Sequence, residues 1–360
     1  MIMKLFNNIY KNKTVLVTGH TGFKGSWLSL WLVMMGAKVI GISNKVPSKP
    51  SHFEVINLKK KIKHINLDIR DYKRLSNLFK KYKPDFVFHL AAQSLVKQSY
   101  LNPLETWSTN TIGTLNVLES LRPIKKKTYV VIITSDKSYK NIEILRGYRE
   151  KDSLGGKDPY SASKGAAEFA IQSYIKSFFS HKKNNIFIGI ARAGNVIGGG
   201  DWSKDRIIPD CAKSYSKNKR VIIRSPKSTR PWQHVLEVIY GYLTLASKLY
   251  KNENLHGEAF NFGPSKQANY KVIYLLQQFK KYWSNFNWKI IKDKKNFSES
   301  KLLKLNSDKA KKKLNWQSKL SINETIKLVA NWYSFFYKKN DKDLYTLSIK
   351  QIHFYIGKIK

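Results

Sequence analysis

The chain has 360 residues and pairs 66 Lys and Arg with only 24 Asp and Glu, a formal net charge of +42. That length allows one large or two unequal domains with a sizeable core, and the lone cysteine, Cys211, has no internal partner for a disulfide. The sequence has neither the roughly 18 consecutive apolar residues of a membrane span nor a signal-peptide layout, so a cytoplasmic protein with no membrane partner is expected. Lysines are spread along the whole chain, with runs at Lys59–Lys61, Lys125–Lys127, Lys292–Lys295 and Lys309–Lys313. Together with abundant Asn, Ile, Tyr and Phe they read as solvated faces under a codon bias. No nucleic-acid motif accompanies them, so no nucleic-acid partner is expected, although a positive field would attract a small dianion.

Thr14–Thr18 reads as a short buried strand, followed by Gly19-His20-Thr21-Gly22-Phe23-Lys24-Gly25 and an apolar helical run from Trp27 to Met35. Strand, glycine turn and helix form the context of a dinucleotide site. Glycines let the backbone approach a pyrophosphate, and the helix N-terminus offers it free N–H groups. A second strand, Gly36 to Ile42, ends at Ser43-Asn44-Lys45 with no acid to hold an adenosine ribose diol. NAD is the expected cofactor, with NADP left open by Lys45. Next come a strand from Ile62 to Leu67 ending at Asp68-Ile69-Arg70-Asp71, and a strand and turn from Asp85 to Gln93. Helices are expected at about 104–121 and 160–180, then a strand from Asn185 to Arg192. This alternation predicts an α/β, Rossmann-like doubly wound parallel sheet. Beyond Gly194 the pattern loosens around Gly198–Gly200, Pro209, Pro226 and Pro231. The expected division is therefore a dinucleotide-binding domain at 1–192, receiving a later strand near 235–263, and a smaller C-terminal substrate-binding lobe at 193–360. The tail after about 338 should dock on the surface.

Two segments carry chemistry. The strand Val130–Ile133 ends in Thr134-Ser135-Asp136-Lys137, and strand C-termini in such sheets face the ligand crevice. Tyr160 and Lys164 leave the same face of a helix over 157–178, one turn apart. An ammonium and a nicotinamide cation beside the phenol would draw its pKa from about 10 towards neutrality. Tyr160 then suits the base for a hydroxyl whose carbon surrenders hydride. No metal site is expected.

The Gly-x-x-Gly-x-x-Gly spacing resembles the extended short-chain dehydrogenase/reductases. Narrower blocks resemble the CDP-glucose 4,6-dehydratases of that superfamily: Gly19 to Leu28, Phe88 to Gln93, Thr134 to Lys137, Gly147 to Glu150, Asp158 to Ser161, Ala191 to Trp202 and Arg230 to Val235. They span about residues 13–264. The resemblance implies a lyase that converts CDP-D-glucose to CDP-4-keto-6-deoxy-D-glucose for deoxysugars of a surface polysaccharide such as O-antigen. It implies Tyr160 as the base at the 4-hydroxyl, Ser135 bonded to the same oxygen, and Lys164 on the nicotinamide ribose. Asp136 would be the acid for the C6 hydroxyl, and Lys137 either the C5 base or an electrostatic stabiliser. Cofactor contacts would come from Gly19, His20, Gly22, Phe23, Lys24, Gly25, Asp68, Ile69, Leu90, Ala91 and Ala92. Substrate contacts would come from Gln93, Asn195, Arg206, Arg224, Arg230 and His234, with Asn110 supporting the catalytic strand. Subunits would pair through the helices near 104–121 and 160–180 into a homodimer, with a tetramer left open.

Overall fold

The computed structural model describes residues 5–181, 184–204, 206–265, 270–291, 302–338 and 343–359. The lysine run expected at 292–295 lies outside them. Seven strands build one all-parallel sheet: β1 Thr14–Thr18, β2 Lys38–Ser43, β3 Lys63–Asn66, β4 Phe86–His89, β5 Thr128–Ile133, β6 Ile186–Ala193 and β7 Ala259–Phe262. Their order is β7-β6-β5-β4-β1-β2-β3. Parallel neighbours need long crossovers, and the strands accordingly alternate with helices. The order reverses between β1 and β4, which puts the switch-point crevice at their carboxyl ends.

Alternate residues of each strand face opposite sides, and the apolar runs feed two cores. Val15, Val17, Val131, Ile133, Ala191 and Ala193 join one core, whereas Leu16, Val130, Ile132, Ile188 and Ile190 join the other. The first core is covered by helices α1 Phe23–Met34 and α5 Val235–Lys251. The second is covered by α2 Tyr72–Tyr82, α3 Gly113–Leu121 and α4 Pro159–Phe178. Two further helices, α6 Ile322–Lys338 and α7 Leu344–Ile359, bury Trp332, Tyr333, Ile352 and Tyr355 in the first core. Tyr355 donates to Glu237 Oε2 at 2.6 Å, so the tail is fastened to α5 as well as docked.

Local sequence sets the elements that carry function. Asp158 caps α4, its Oδ1 accepting from Ser161 N at 3.0 Å, and Pro159 takes the first helical position. The helix expected at 104–121 is interrupted. A short helix, Pro103–Trp107, passes through a widened π turn at Ser108–Ile112 into α3. Such a turn re-aims one side chain, here that of Asn110, which is 1% exposed. No helix among the described residues is long and apolar enough to cross a membrane.

Candidate active site

Gly19 ends β1 with φ +74°, a left-handed conformation that glycine adopts without strain. A Cβ there would stand 2.7 Å from Ala91 N, so only glycine lets this turn lie against the Leu90-Ala91-Ala92 segment. That segment is tied to β1 by Leu90 N donating to Thr18 O at 3.1 Å and Ala91 N to Thr18 Oγ1 at 3.2 Å. At Gly25 an added Cβ would fall 2.1 Å from Gly19 O. At Gly22 it would meet only Gly19 O, at 3.2 Å, so the loop is open on that side. Gly22 also begins α1 without a side-chain cap, leaving the first-turn N–H groups to an outside acceptor. These features fit a dinucleotide pyrophosphate. Phe23 lines the same turn, packed beside Gly198, and Ile69 is buried against Gly113.

The catalytic candidates converge where β5 ends and α4 begins. Ser135, Asp136, Tyr160 and Lys164 are 6%, 5%, 8% and 6% exposed. Ser135 Oγ accepts from Lys137 N at 3.2 Å and donates to Asp136 Oδ1 at 3.0 Å, fixing the turn that presents all three residues. The same hydroxyl stands beside the Tyr160 phenol and favours its ionised form, as does the Arg206 guanidinium. Burial outweighs both, so the phenol titrates above its usual value. The lysine's share of the expected downward shift is therefore not enough on its own: Lys164 is itself pushed down to about 8 by burial, with Glu168 opposing. Asp136 is raised by burial against the Lys137 and Lys24 cations. Lys24 is held at about 8, by burial first and then by Arg206 and Lys164, while Asp136 and Asp201 pull the other way. Its ammonium is thus coupled electrostatically to Asp136 and Lys164 as well as standing in the glycine loop. Arg206 is braced by Asp201, Nη1 to Oδ2 at 3.0 Å.

Other candidates are turned elsewhere. The His20 ring packs behind the loop against Gly41, Phe53 and His64, with Nε2 2.7 Å from His64 Nδ1, so only its backbone remains for a cofactor. Asp68 already accepts from Arg70 N, Nε and Nη2 and from Asn44 Nδ2. Those four bonds fill a carboxylate's lone pairs, and an adenine amine would have to displace one of them. Gln93 spends its amide locally, Nε2 on Leu95 O and Thr106 Oγ1, and Oε1 on Leu95 N, so a substrate contact would have to compete with these bonds. Asn110 braces the site from behind, accepting from Gln93 N at 2.8 Å and donating to Ser163 Oγ at 2.9 Å. His234 is wholly buried; its Nδ1 accepts from Leu236 N, and its ring meets Trp27 edge-on. Asn195 follows β6 with a half-buried side chain. Arg224 is exposed after the short strand Val221–Ile223, and Arg230 sits on a two-residue strand paired with Tyr270–Lys271.

Sequence reasoning overlooked the support beneath the cluster. Glu168, one turn beyond Lys164, and Arg192, a lone charge in the apolar strand β6, form an ion pair that is almost completely buried. Their signals were legible: Glu168 shares the Tyr160/Lys164 helix face, and a cation inside a buried strand demands a partner. Tyr242 on α5 was also missed. Its phenol is buried, coupled electrostatically to Tyr160 and Asp136, with no hydrogen-bond partner among the described residues.

Comparisons with known proteins agree with this geometry. The family model described as GDP-mannose 4,6 dehydratase matches residues 16–329. The chain is 42% identical over 337 residues to CDP-glucose 4,6-dehydratase of Salmonella typhimurium, covering 93% of this chain and 94% of that protein. Among solved structures, the epimerase Mth375 of Methanothermobacter thermautotrophicus superposes with TM-score 0.79 at 25% identity, covering 93% of this chain and 95% of that one. UDP-glucuronic acid 4-epimerase of Bacillus cereus, in complex with UDP-glucuronic acid and NAD, shares the fold with TM-score 0.75 at 22% identity, covering 89% and 99% of the two chains.

Proposed function

The chain belongs to the nucleotide-sugar 4,6-dehydratase family that this model describes, and on that premise we propose that it converts CDP-D-glucose to CDP-4-keto-6-deoxy-D-glucose and water. The likeness to the Salmonella typhimurium enzyme supports the nucleotide and the sugar. One observation favours dehydration over simple epimerisation: Asp136, a carboxyl that burial biases towards its protonated form, sits at the turn that carries Ser135 beside Tyr160. A 4-epimerase has no leaving hydroxyl to protonate.

NAD along the glycine loop would supply an acceptor for the hydride at sugar C4 and return it at C6, so no net oxidation results. Tyr160 takes the 4-hydroxyl proton as that bond oxidises, and Ser135 holds the same oxygen at hydrogen-bonding range. Lys164 would hold the nicotinamide ribose, while Ser135 and Arg206 favour the phenolate against the burial that disfavours it. The 4-ketone acidifies the C5 proton, which passes either to Lys137 Nζ as the base or to a water molecule while Lys137 stabilises the resulting enolate electrostatically. Asp136 delivers its proton to the C6 hydroxyl, and water departs. Lys24 and Arg206 put positive charge beside the reacting sugar, with Arg224, Arg230 and Asn195 assigned to the diphosphate and nucleoside.

A homodimer is part of this reading. Leu101, Leu104 and Ile112 from the segment before α3, and Phe169 on α4, are 68%, 83%, 50% and 58% exposed. Large apolar side chains left open on two neighbouring helices suit a helix-on-helix contact with a second copy.

The test incubates purified protein and NAD with CDP-, dTDP-, UDP- and GDP-hexoses and follows products by mass spectrometry. Loss of one water from CDP-glucose without accumulation of reduced cofactor supports the reading. Water loss from another nucleotide reassigns the substrate. Isomerisation without water loss moves the protein to the epimerases.

A further inference from the structure

Glu168 is 0% exposed and Arg192 1% exposed. The carboxylate accepts from Arg192 Nε at 2.8 Å through Oε1 and 3.0 Å through Oε2, and from Nη2 through Oε2. It also accepts from Thr134 Oγ1 at 2.7 Å, so one side chain of α4 grips the residue immediately before Ser135. Arg192 continues the chain of contacts, donating from Nη1 to Tyr139 Oη at 2.7 Å and to Glu150 O at 3.1 Å. Its guanidinium also lies over the Tyr139 ring, 4.7 Å from the centroid. Tyr139 in turn donates to Asn261 Oδ1 at 2.8 Å on β7. One buried pair therefore ties together the ends of β5 and β6, helix α4 and the segment following Lys137.

A buried ion pair is weak evidence for stability. Removing two charges from water costs several kcal/mol per ion, and apolar replacements of similar volume are often as stable or more so. What the pair does specify is geometry. Ser135 follows a gripped residue, Lys164 precedes Glu168 by one turn, and Tyr160 by two.

We propose that Glu168 and Arg192 are positioning residues: together they hold Ser135, Tyr160 and Lys164 in one reactive arrangement and give the Lys164 ammonium its counter-charge. This rests on the dehydratase reading for its rate measurements, and on the cofactor site alone for its binding measurement. Glu168 pulls the Lys164 pKa upward against burial. Without that carboxylate Lys164 loses its proton at lower pH, and the cationic form becomes scarce sooner as pH rises.

The experiment compares wild type, Glu168→Gln and the double variant Glu168→Leu/Arg192→Met. It reads thermal stability, NAD affinity by fluorescence quenching, and the pH profile of kcat on CDP-glucose. Displacing catalytic groups by a fraction of an ångström costs on the order of tenfold to a hundredfold in rate. In Glu168→Gln we expect at least a tenfold loss of kcat, weaker NAD binding, and an alkaline limb moved to lower pH. A purely structural role would leave that limb in place. The double variant should stay folded, since neither charge is stranded, and still lose kcat and NAD affinity. If wild type turns over no sugar nucleotide, the dehydratase reading fails separately and NAD affinity alone decides. A folded variant with wild-type NAD affinity and pH profile overturns the proposal. So does failure of both variants to fold, which would assign the pair to stability alone.

Discussion

Asp136→Asn isolates the step that separates a dehydratase from its relatives. The amide matches the carboxyl in shape and can keep the bond from Ser135, but it cannot deliver a proton. Asp136 is 5% exposed, and burial raises its pKa, so a neutral amide of the same shape suits its surroundings and should leave the fold intact. A positioned general acid contributes about 10²–10⁴ in rate, or about 3–5 kcal/mol at 1.36 kcal/mol per tenfold. We expect kcat to fall by that factor while oxidation at C4 survives. The assay is single-turnover absorbance of the reduced nicotinamide together with mass spectrometry of the sugar. The variant should hold reduced cofactor far longer than wild type, and CDP-6-deoxy product should appear only slowly. A kcat within a few-fold of wild type would refute Asp136 as the acid. Equal slowing of C4 oxidation and water loss would instead make it an orienting partner of Ser135.

Lys164 should trade stability for function. Its folded pKa of about 8 lies below the ordinary lysine value of 10.5, so the unfolded chain binds the extra proton between those values. The penalty is full below about pH 8 and fades as pH rises to the unfolded value; its upper bound is about 3 kcal/mol at 1.36 kcal/mol per unit. Lys164→Met should therefore raise Tm at pH 7, with the gain shrinking towards pH 10, while kcat collapses; a lower Tm at pH 7 would contradict this. Leu104→Glu, at a side chain 83% exposed, should yield monomers in size-exclusion chromatography with light scattering if this face joins two copies. An unchanged elution mass would remove that face from the interface.

The fold was legible because its signals are local and repeated. Apolar strands bounded by glycine and alternating with helical runs admit few arrangements besides a parallel sheet, and the seven-stranded order follows that rule. Tyr160 and Lys164 were equally readable, since helical spacing alone puts them one turn apart. The remainder depended on contacts that no linear pattern encodes. Gln93 and Asn110 look alike as polar residues near the crevice, yet a π turn draws Asn110 inward and Gln93 closes on its own loop. His20 stands in the glycine turn, but the bare Cα of Gly41 leaves room for its ring on the far side of β2. The protein's own groups leave the Tyr160 phenol raised because the cost of burying it exceeds their help, so a downward shift depends on the nicotinamide cation that a linear pattern cannot weigh against burial. Glu168 and Arg192 were visible individually. Only the meeting of α4 with β6 makes them a pair.

Transfer of a C4 deuterium tests the central claim most directly. CDP-[4-²H]glucose is incubated with the NAD-loaded protein in ordinary water, and the product is analysed by mass spectrometry and NMR. An internal hydride transfer predicts CDP-4-keto-6-deoxyglucose with the deuterium at C6 and none released. Deuterium lost to solvent, or retained at C4 of an isomerised sugar, would contradict the account.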